Sequence, residues 1–91
     1  MPYIESSVRP RLDQVAAKAV KELCVHVNGG YHPGELNYVL TKILVGIWQR
    51  NHSYRDIALF TGVLENVKQE FYRRVATPYE EKKREENGDV Y

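Results

Sequence analysis

Three side chains with metal-binding chemistry lie close together in this sequence, at Cys24, His26 and His32. A thiol and two imidazoles are ligands that zinc accepts, so their spacing can be compared with the needs of a tetrahedral site. Residues two apart on a helix point about 200° away from each other, so Cys24 and His26 cannot share one metal ion unless the helix unwinds. The pattern favours a small buried thiol beside turn histidines, and we expect neither a metal site nor a cofactor.

Acidic, basic and phenolic side chains also lie near one another in the last third of the chain. Glu65, Lys68 and Tyr72 are three and four residues apart, and Glu70 and Arg74 are four apart. This spacing is typical of pairs on a solvated helix face, and it places no nucleophile against an oriented base. The sequence therefore predicts no catalytic residue and no enzymatic activity.

A combination of aromatic and cationic side chains points to a ligand instead. Aromatic rings can stack on a nucleobase while arginine side chains hold phosphate oxygens, so a crevice built from both suits a nucleotide. The side chains that we expect to bind such a ligand are Tyr38, Tyr54, Arg55, Tyr72, Arg73 and Arg74.

A polar face runs along the same predicted helix that carries most of these side chains. Gly62, Asn66, Gln69 and Arg73 fall on one stripe that is polar but nearly uncharged, unlike a solvated face rich in Glu and Lys. Two interpretations stay open for this stripe. It contacts a ligand or a partner chain, or it is simply exposed to solvent.

The elements that position these side chains are predicted from apolar residues that recur at helical intervals. A first helix is expected from a cap at Ser6 and Ser7 to Val27, where Asn28 and the glycines after it end it. These boundaries place Cys24 inside the helix.

Two more helices follow by the same criteria. The second is expected from His32-Pro33 to about Arg50, and the third from a cap at Ser53 to Thr77-Pro78. Gly62 weakens the third helix by about 1 kcal/mol relative to alanine, so the helix bends there or another chain packs close to it.

These segments predict an all-α protein. The economical architectures are a three-helix up-down arrangement and a long helical hairpin with a short first helix. Residues 1–78 are expected to form a single helical domain, and residues 79–91 a charged, partly flexible tail that stays helical to about Glu86.

Charge and cysteine content exclude several functional classes. The formal net charge is +1, and the tail holds five acidic and three basic side chains, so residues 1–78 carry +3. This is far from the dense basic face of a DNA-binding protein, and we expect no nucleic-acid partner. One cysteine permits no intrachain disulfide and favours a reducing compartment, and no apolar stretch approaches the roughly 20 residues of a membrane span. We therefore expect a cytoplasmic protein that does not enter the membrane.

The apolar stripes present more surface than a chain of 91 residues can cover with itself, above all from Val39 to Trp48. We therefore expect a homo-oligomer, a dimer or higher. Gly46 and Gly62 are the positions where helices could approach most closely.

Several short motifs are spread over nearly the whole chain: Pro2-Tyr3-Ile4, Gly34-Glu35-Leu36-Asn37-Tyr38, Gly62-Val63-Leu64-Glu65, Lys68-Gln69-Glu70-Phe71-Tyr72-Arg73-Arg74, Pro78-Tyr79-Glu80 and Asn87-Gly88-Asp89-Val90-Tyr91. Together they resemble a family of small uncharacterised proteins from tailed phages and their bacterial hosts. The resemblance implies phage or prophage origin and a bacterial cytoplasm, and it brings no assigned activity.

A looser similarity rests on Arg55, Thr61, Leu64, Arg74 and Pro78, which follow one another in this order. The segment resembles the helical-hairpin sponge proteins by which phages sequester cyclic nucleotides of CBASS or Thoeris defence. The spacing from the threonine to the later arginine and the aromatic run both depart from that pattern. The resemblance implies a small, non-enzymatic oligomer that encloses a nucleotide between its subunits.

Two functions are therefore expected. The first is a binding module that sequesters an anionic, nucleotide-derived immune signal, such as a cyclic nucleotide or a cyclic ADP-ribose-like molecule, in a pocket of an oligomer. The alternative is a protein-interaction or structural module that binds a host or phage protein through the third helix and the tail.

Overall fold

The computed structural model describes residues 4–89, and every regular element within them is helical. The predicted all-α class is confirmed. A π-helical turn, Tyr72–Ala76, joins the last two of the four helices, which are α1 (Arg9–Leu23), α2 (Pro33–Trp48), α3 (Tyr54–Phe71) and α4 (Thr77–Asn87).

The chain divides into two units, residues 1–51 and residues 52–91. The first unit contains α1 and α2, and the second contains α3, the π turn and α4. The predicted boundary between a domain and a tail, after residue 78, lies inside α4, which continues the helix to Asn87.

The start of α1 differs from the prediction. α1 begins at Arg9, and its N-cap Val8 supplies no side-chain hydrogen bond. The Val8 N–H donates to the Glu5 carbonyl oxygen at 3.0 Å, so Ser6 and Ser7 lie within a turn rather than at the helix end. The prediction that these serines cap α1 is therefore wrong.

The end of α1 also comes earlier than predicted, at Leu23 rather than near Val27. The Cys24 N–H makes a last helical bond to the Val20 carbonyl oxygen at 2.9 Å. Because Val25 and Val27 are β-branched and lose side-chain freedom in a helix, they do not favour its continuation. Cys24 is left exposed at the helix end, so the prediction of a buried thiol is wrong.

A tight turn connects α1 to α2. Asn28 and Gly29 both have positive φ angles, of 59° and 72°, which is the left-handed conformation that glycine and asparagine tolerate best. The His26 N–H donates to the Gly30 carbonyl oxygen at 3.1 Å across this turn.

α2 begins at Pro33, as predicted. His32 is the N-cap, and its Nδ1 accepts a hydrogen bond from the Gly34 N–H at 3.2 Å. An imidazole nitrogen thus satisfies one of the free N–H groups of the first turn, the role that Ser or Asp usually fills. The helix ends at Trp48, two residues before the predicted end at Arg50.

The predicted cap of α3 is confirmed. The Ser53 Oγ accepts a hydrogen bond from the Asp56 N–H at 3.4 Å. The helix runs without interruption through Gly62, and a Cβ added at this glycine would meet nothing within 4 Å. The space beside Gly62 is open, and close packing of another chain there, the second of the two predicted alternatives, stays a prediction.

α3 ends at Phe71, before the predicted end at Thr77-Pro78, but helical structure continues past the proline to Asn87, close to the predicted helical limit near Glu86. The Thr77 N–H donates to the Tyr72 carbonyl oxygen five residues back, so the turn is one residue wider than an α-helical turn. Proline has no N–H to bond with residue 74, and in a regular α-helix its ring would clash with that carbonyl group. The wide turn accommodates Pro78, which then lies in the first turn of α4.

Large apolar side chains are exposed on α1, α2 and α3, and no side chain of residues 4–89 is fully buried. The half-buried apolar side chains of the helices in the first unit are Ala19, Leu23, Val39, Leu44 and Trp48. Over the described part of the chain, no helix is both long enough and apolar enough to cross a membrane.

Candidate functional site

A cleft of about 830 Å³ lies in the first unit, lined by the C-terminal half of α1 and the N-terminal half of α2. Apolar side chains from both helices line it, among them Val15, Ala19 and Val39. Charged and aromatic side chains also line the cleft, namely Lys18, Glu22, His32, Glu35 and Tyr38. The cleft is thus apolar in its main character, with polar groups that could orient a bound chain.

The two turn histidines make local contacts. His26 Nε2 lies 2.9 Å from Glu35 Oε1, and His32 caps α2. Their ring centroids are 6.2 Å apart. In residues 4–89 no three His, Cys, Asp or Glu side chains form a group that could hold a metal ion.

Tyr38 belongs to the first unit, unlike the other five predicted ligand-binding residues. Its exposed ring lines the cleft, and the Lys42 Nζ lies 5.9 Å from the ring centroid, within the range of a cation–π contact. Tyr38 is therefore placed to contact whatever occupies the cleft between α1 and α2.

The second unit holds an open pocket of about 330 Å³ where α3 meets the π turn. Tyr72 and Arg73 line it together with Lys68, Gln69 and Thr77. Within the π turn the backbone hydrogen bond spans five residues instead of four, so side chains after Tyr72 are rotated relative to those of a regular α-helix. The Tyr72 hydroxyl donates a hydrogen bond to Glu80 Oε1 at 3.2 Å, two turns further along.

Glu70 holds both arginines of the π turn. The Arg74 Nε donates to Glu70 Oε1 at 2.7 Å, and an Arg73 guanidinium N–H donates to the same oxygen. Partial desolvation alone would raise the pKa of Glu70, but the hydrogen bonds from Arg74 and Arg73 and their two positive charges together lower it below its ordinary value. Much of the positive charge in the predicted site is thus already paired within the chain.

Tyr54 and Arg55 lie at the opposite end of α3 from the π turn. α3 has 18 residues, and at a rise of about 1.5 Å each its ends are about 27 Å apart. The structure therefore brings Tyr72, Arg73 and Arg74 together, and a single copy of the second unit does not bring Tyr54 or Arg55 to them.

One surface of α3 was not singled out as a binding surface by the sequence analysis. The apolar side chains of this surface, called the α3 seam below, are Ile57, Phe60, Leu64, Val67 and Phe71. Four of them are 42–64% exposed, and Phe60 is half-buried. The polar stripe with Gly62 and Gln69 lies on the other side of the helix, because 100° per residue separates successive side chains. The signal in the sequence that could have identified this surface is the recurrence of its apolar residues at alternating intervals of three and four positions.

Helices with exposed apolar faces, an apolar cleft and ion pairs on their surfaces define a small all-α protein whose surface is suited to binding. A family model described as a domain of unknown function (DUF6899) matches residues 1–90, and the chain belongs to this family. No curated protein and no solved structure matches the chain.

Proposed function

We propose that this protein is a non-enzymatic interaction and assembly module, which uses exposed apolar helix faces to bind a second copy of itself and other proteins. The observation that supports this proposal is the exposure of large apolar side chains. On α2 alone, Leu36, Leu40, Ile43 and Ile47 are 39–50% exposed.

Exposed apolar faces of this size carry a free-energy cost. Fully burying a Leu, Ile or Phe side chain stabilises the folded state by about 1.5–3 kcal/mol. A half-exposed side chain therefore lacks roughly 1 kcal/mol of that stabilisation. The net stability of a folded domain is only about 5–15 kcal/mol, and it depends on a buried core. Covering these faces with another chain therefore stabilises the folded state, and assembly and folding are coupled in this proposal.

The titratable side chains fit a binding role rather than catalysis. Glu65 with Lys68 and Glu70 with Arg74 form pairs three and four residues apart, a spacing typical of exposed helix surfaces. The proposed site of action is the cytoplasm of a bacterial cell, and the proposed origin is a phage or prophage. The motif resemblance supports both, and the free thiol of Cys24 fits a reducing compartment.

Light scattering behind a sizing column tests the assembly. At micromolar concentration we expect a mass that is a multiple of the 10.6 kDa of one chain. A mass near 10.6 kDa across the whole concentration range would overturn the proposal that the apolar faces bind a second copy. Affinity purification from infected bacterial cells then identifies any further protein partner, for which we expect a stoichiometric complex.

A second candidate function is the sequestration of an anionic, nucleotide-derived signal, such as a cyclic nucleotide or a cyclic ADP-ribose isomer. The observation that favours it is the open pocket at the π turn, where Tyr72 offers a ring and Arg73 and Lys68 offer positive charge. Against a simple anion site, Glu70 already pairs with Arg73 and Arg74. A phosphate would have to compete with this carboxylate.

Calorimetry with cyclic dinucleotides, cyclic trinucleotides and cyclic ADP-ribose isomers tests the second candidate. We expect binding at tens of micromolar or tighter. We also expect Arg73→Ala to weaken it at least tenfold, whereas Lys21→Ala on α1 should leave it unchanged. Absence of binding to every one of these compounds would eliminate the candidate.

A further inference from the structure

The α3 seam points to its own partner. We propose that two copies of the chain pair through the α3 seam, with the two α3 helices antiparallel and Leu64 at the centre of the pair. The proposal rests on the assembly function above and specifies the surface, the partner and the orientation.

The period of the seam is that of a helix that packs against another helix along its length. Successive seam residues are three, four, three and four positions apart, an average of 3.5. Helices with this period wind around each other, because their side chains stay on the shared face for many turns. From Ile57 to Phe71 the seam advances fourteen positions, which is two heptads.

The second unit contains nothing that covers the seam. α3, the π turn and α4 form one continuous helical run, because the residues from Tyr72 to Thr77 keep right-handed helical backbone angles at the junctions. Among the described residues of this unit there is no second helix to pack against. A helix obtains most of its stability from tertiary packing of its apolar face, so the seam needs a partner helix.

Side-chain size favours the antiparallel orientation. With Leu64 opposite Leu64 of the second copy, Ile57 lies at the level of Phe71, and Phe60 lies within one residue of the level of Val67. Each bulky ring then meets a smaller aliphatic side chain, and interfaces that alternate large and small side chains fill space well. A parallel pair in register would place Phe60 against Phe60 and Phe71 against Phe71.

Charge favours the same orientation. α4 carries Glu80, Glu81, Glu85 and Glu86 among three basic side chains, and a parallel pair would set two identical α4 helices side by side. An antiparallel pair places the two α4 helices at opposite ends, and it also opposes the two helix dipoles. No like charges face each other across the seam itself, where every residue is apolar.

The antiparallel pair also has a consequence for the predicted ligand-binding residues. Arg55 and Arg73 are each nine residues from Leu64, in opposite directions along the chain. Tyr54 and Arg55 of one copy therefore lie at the level of Arg73 and Arg74 of the second copy. By the same 100° per residue, however, Arg55 and Arg73 lie on the face of α3 away from the seam, so equal height in the pair does not bring them into one site.

Disulfide crosslinking tests the seam and the orientation together. Each variant is made in a Cys24→Ser background, because Cys24 is an exposed free thiol. Facing seam positions in paired helices approach to about 6 Å between Cα atoms, which is within disulfide range. With oxidised glutathione as oxidant, we expect Leu64→Cys to crosslink into a dimer of twice the chain mass and Gln69→Cys on the opposite face to stay uncrosslinked.

Two variants at the ends of the seam test the orientation of the helices. We expect neither Ile57→Cys nor Phe71→Cys to crosslink by itself, and a mixture of the two to crosslink. Circular dichroism confirms that each variant keeps the wild-type helix content before oxidation. If Leu64→Cys loses the wild-type helix content while Gln69→Cys keeps it, the mixture of Ile57→Cys and Phe71→Cys tests the seam in its place.

The outcomes separate this inference from the assembly proposal. A wild-type oligomer in which Leu64→Cys does not crosslink would overturn the α3 seam as the interface and leave assembly intact. Self-crosslinking of Ile57→Cys would overturn the antiparallel orientation. A monomeric wild-type chain would overturn both the inference and the assembly function.

Discussion

Glu70 is the residue on which the electrostatics of the π turn depend. It accepts hydrogen bonds from Arg73 and Arg74, and the two positive charges hold the pKa of Glu70 below its ordinary value. Because this pKa is lower in the folded than in the unfolded chain, the pairing stabilises the fold at pH above the unfolded value. The stabilisation is lost as the pH falls through the folded value.

Replacing one of the two arginines should change this pKa in a predictable direction. In Arg74→Gln we expect the pKa of Glu70 to rise towards its ordinary value, because a hydrogen bond and a charge are both removed. The carboxyl ¹³C shifts of Glu70 measured by NMR between pH 2 and 7 report it, a range that spans ordinary carboxyl titration. Arg55→Gln, at the far end of α3, should leave the titration of Glu70 unchanged. An unaltered midpoint in Arg74→Gln would contradict the pairing.

The serines at the two predicted caps should differ in their contribution to stability. Ser53→Ala removes the acceptor for the Asp56 N–H, and we expect it to lower the free energy of unfolding by about 1 kcal/mol. Ser7→Ala is the control, because the N-cap of α1 is Val8 and Ser7 lies in a turn. Urea denaturation of both variants measures the difference, and equal losses would show that Ser53 has no special role.

At the scale of the elements, the π turn allows the helix that begins with α3 to continue past Pro78 into α4. The wide turn at Tyr72–Ala76 comes immediately before α4 and places Pro78 in the first turn of a new α-helix. Wide turns of this kind are often found at functional sites. Here the turn sets the positions of Tyr72 and Arg73 in the open pocket.

Removing the proline should remove the reason for the wide turn. In Pro78→Ala the backbone regains an N–H that can bond to residue 74, so we expect the π turn to revert to an α-helical turn. Backbone chemical shifts of residues 72–77 should move towards regular helical values, and the hydrogen bond from Tyr72 to Glu80 should weaken. Pro33→Ala is the matched control, since Pro33 is already at a helix start where it displaces no bond. If the Thr77 N–H still bonds to the Tyr72 carbonyl oxygen in Pro78→Ala, another interaction holds the wide turn.

At the scale of the whole molecule, folding and association are expected to be a single process. The helices leave large apolar side chains exposed in residues 4–89, and in the assembly proposal a second copy covers them. A chain of 91 residues also buries only about 60 to 65% of the surface that its unfolded form exposes, which leaves thin stability. The midpoint of thermal unfolding should therefore depend on protein concentration.

For a dimer, a tenfold increase in concentration contributes about 1.4 kcal/mol per dimer, which should raise the Tm by roughly 3–4 °C. Scanning calorimetry or circular dichroism over three concentrations between 1 and 100 µM measures this shift, a range of the order expected for a weak dimer. The shift should persist in high salt, because an apolar seam is not screened. A Tm that does not change with concentration would indicate a folded monomer.

The loss of stability on replacing Leu64 shows whether the seam is buried or exposed. If the second copy covers the seam, Leu64→Ala leaves a cavity and should lower the free energy of unfolding by about 2–5 kcal/mol. On an exposed helix surface the same change should cost less than about 0.5 kcal/mol. Gln69→Ala, on the opposite face of α3, should stay within about 0.5 kcal/mol of wild type. Denaturation at fixed protein concentration compares the variants, and near-equal midpoints would place Leu64 outside any interface.

Local interactions made part of this protein predictable from its sequence. The all-α class, the start of α2 at Pro33 and the Ser53 cap of α3 follow from apolar period, proline position and a side chain that bonds three residues away. Each depends on groups within one turn of helix. The sequence alone therefore determines where two of the four helices, α2 and α3, begin.

Other features were decided by contacts that no local pattern encodes. His26 contacts Glu35 nine residues away across the turn between α1 and α2, whereas the pairing of Glu70 with Arg74 follows from their four-residue spacing. Thr77-Pro78 would normally end an α-helix. The wide turn before it removes the clash between the ring of Pro78 and the carbonyl group of residue 74. The exposure of Cys24 and of the α3 seam depends on where helices end and on which neighbours each face has, and neighbours are a property of the tertiary structure.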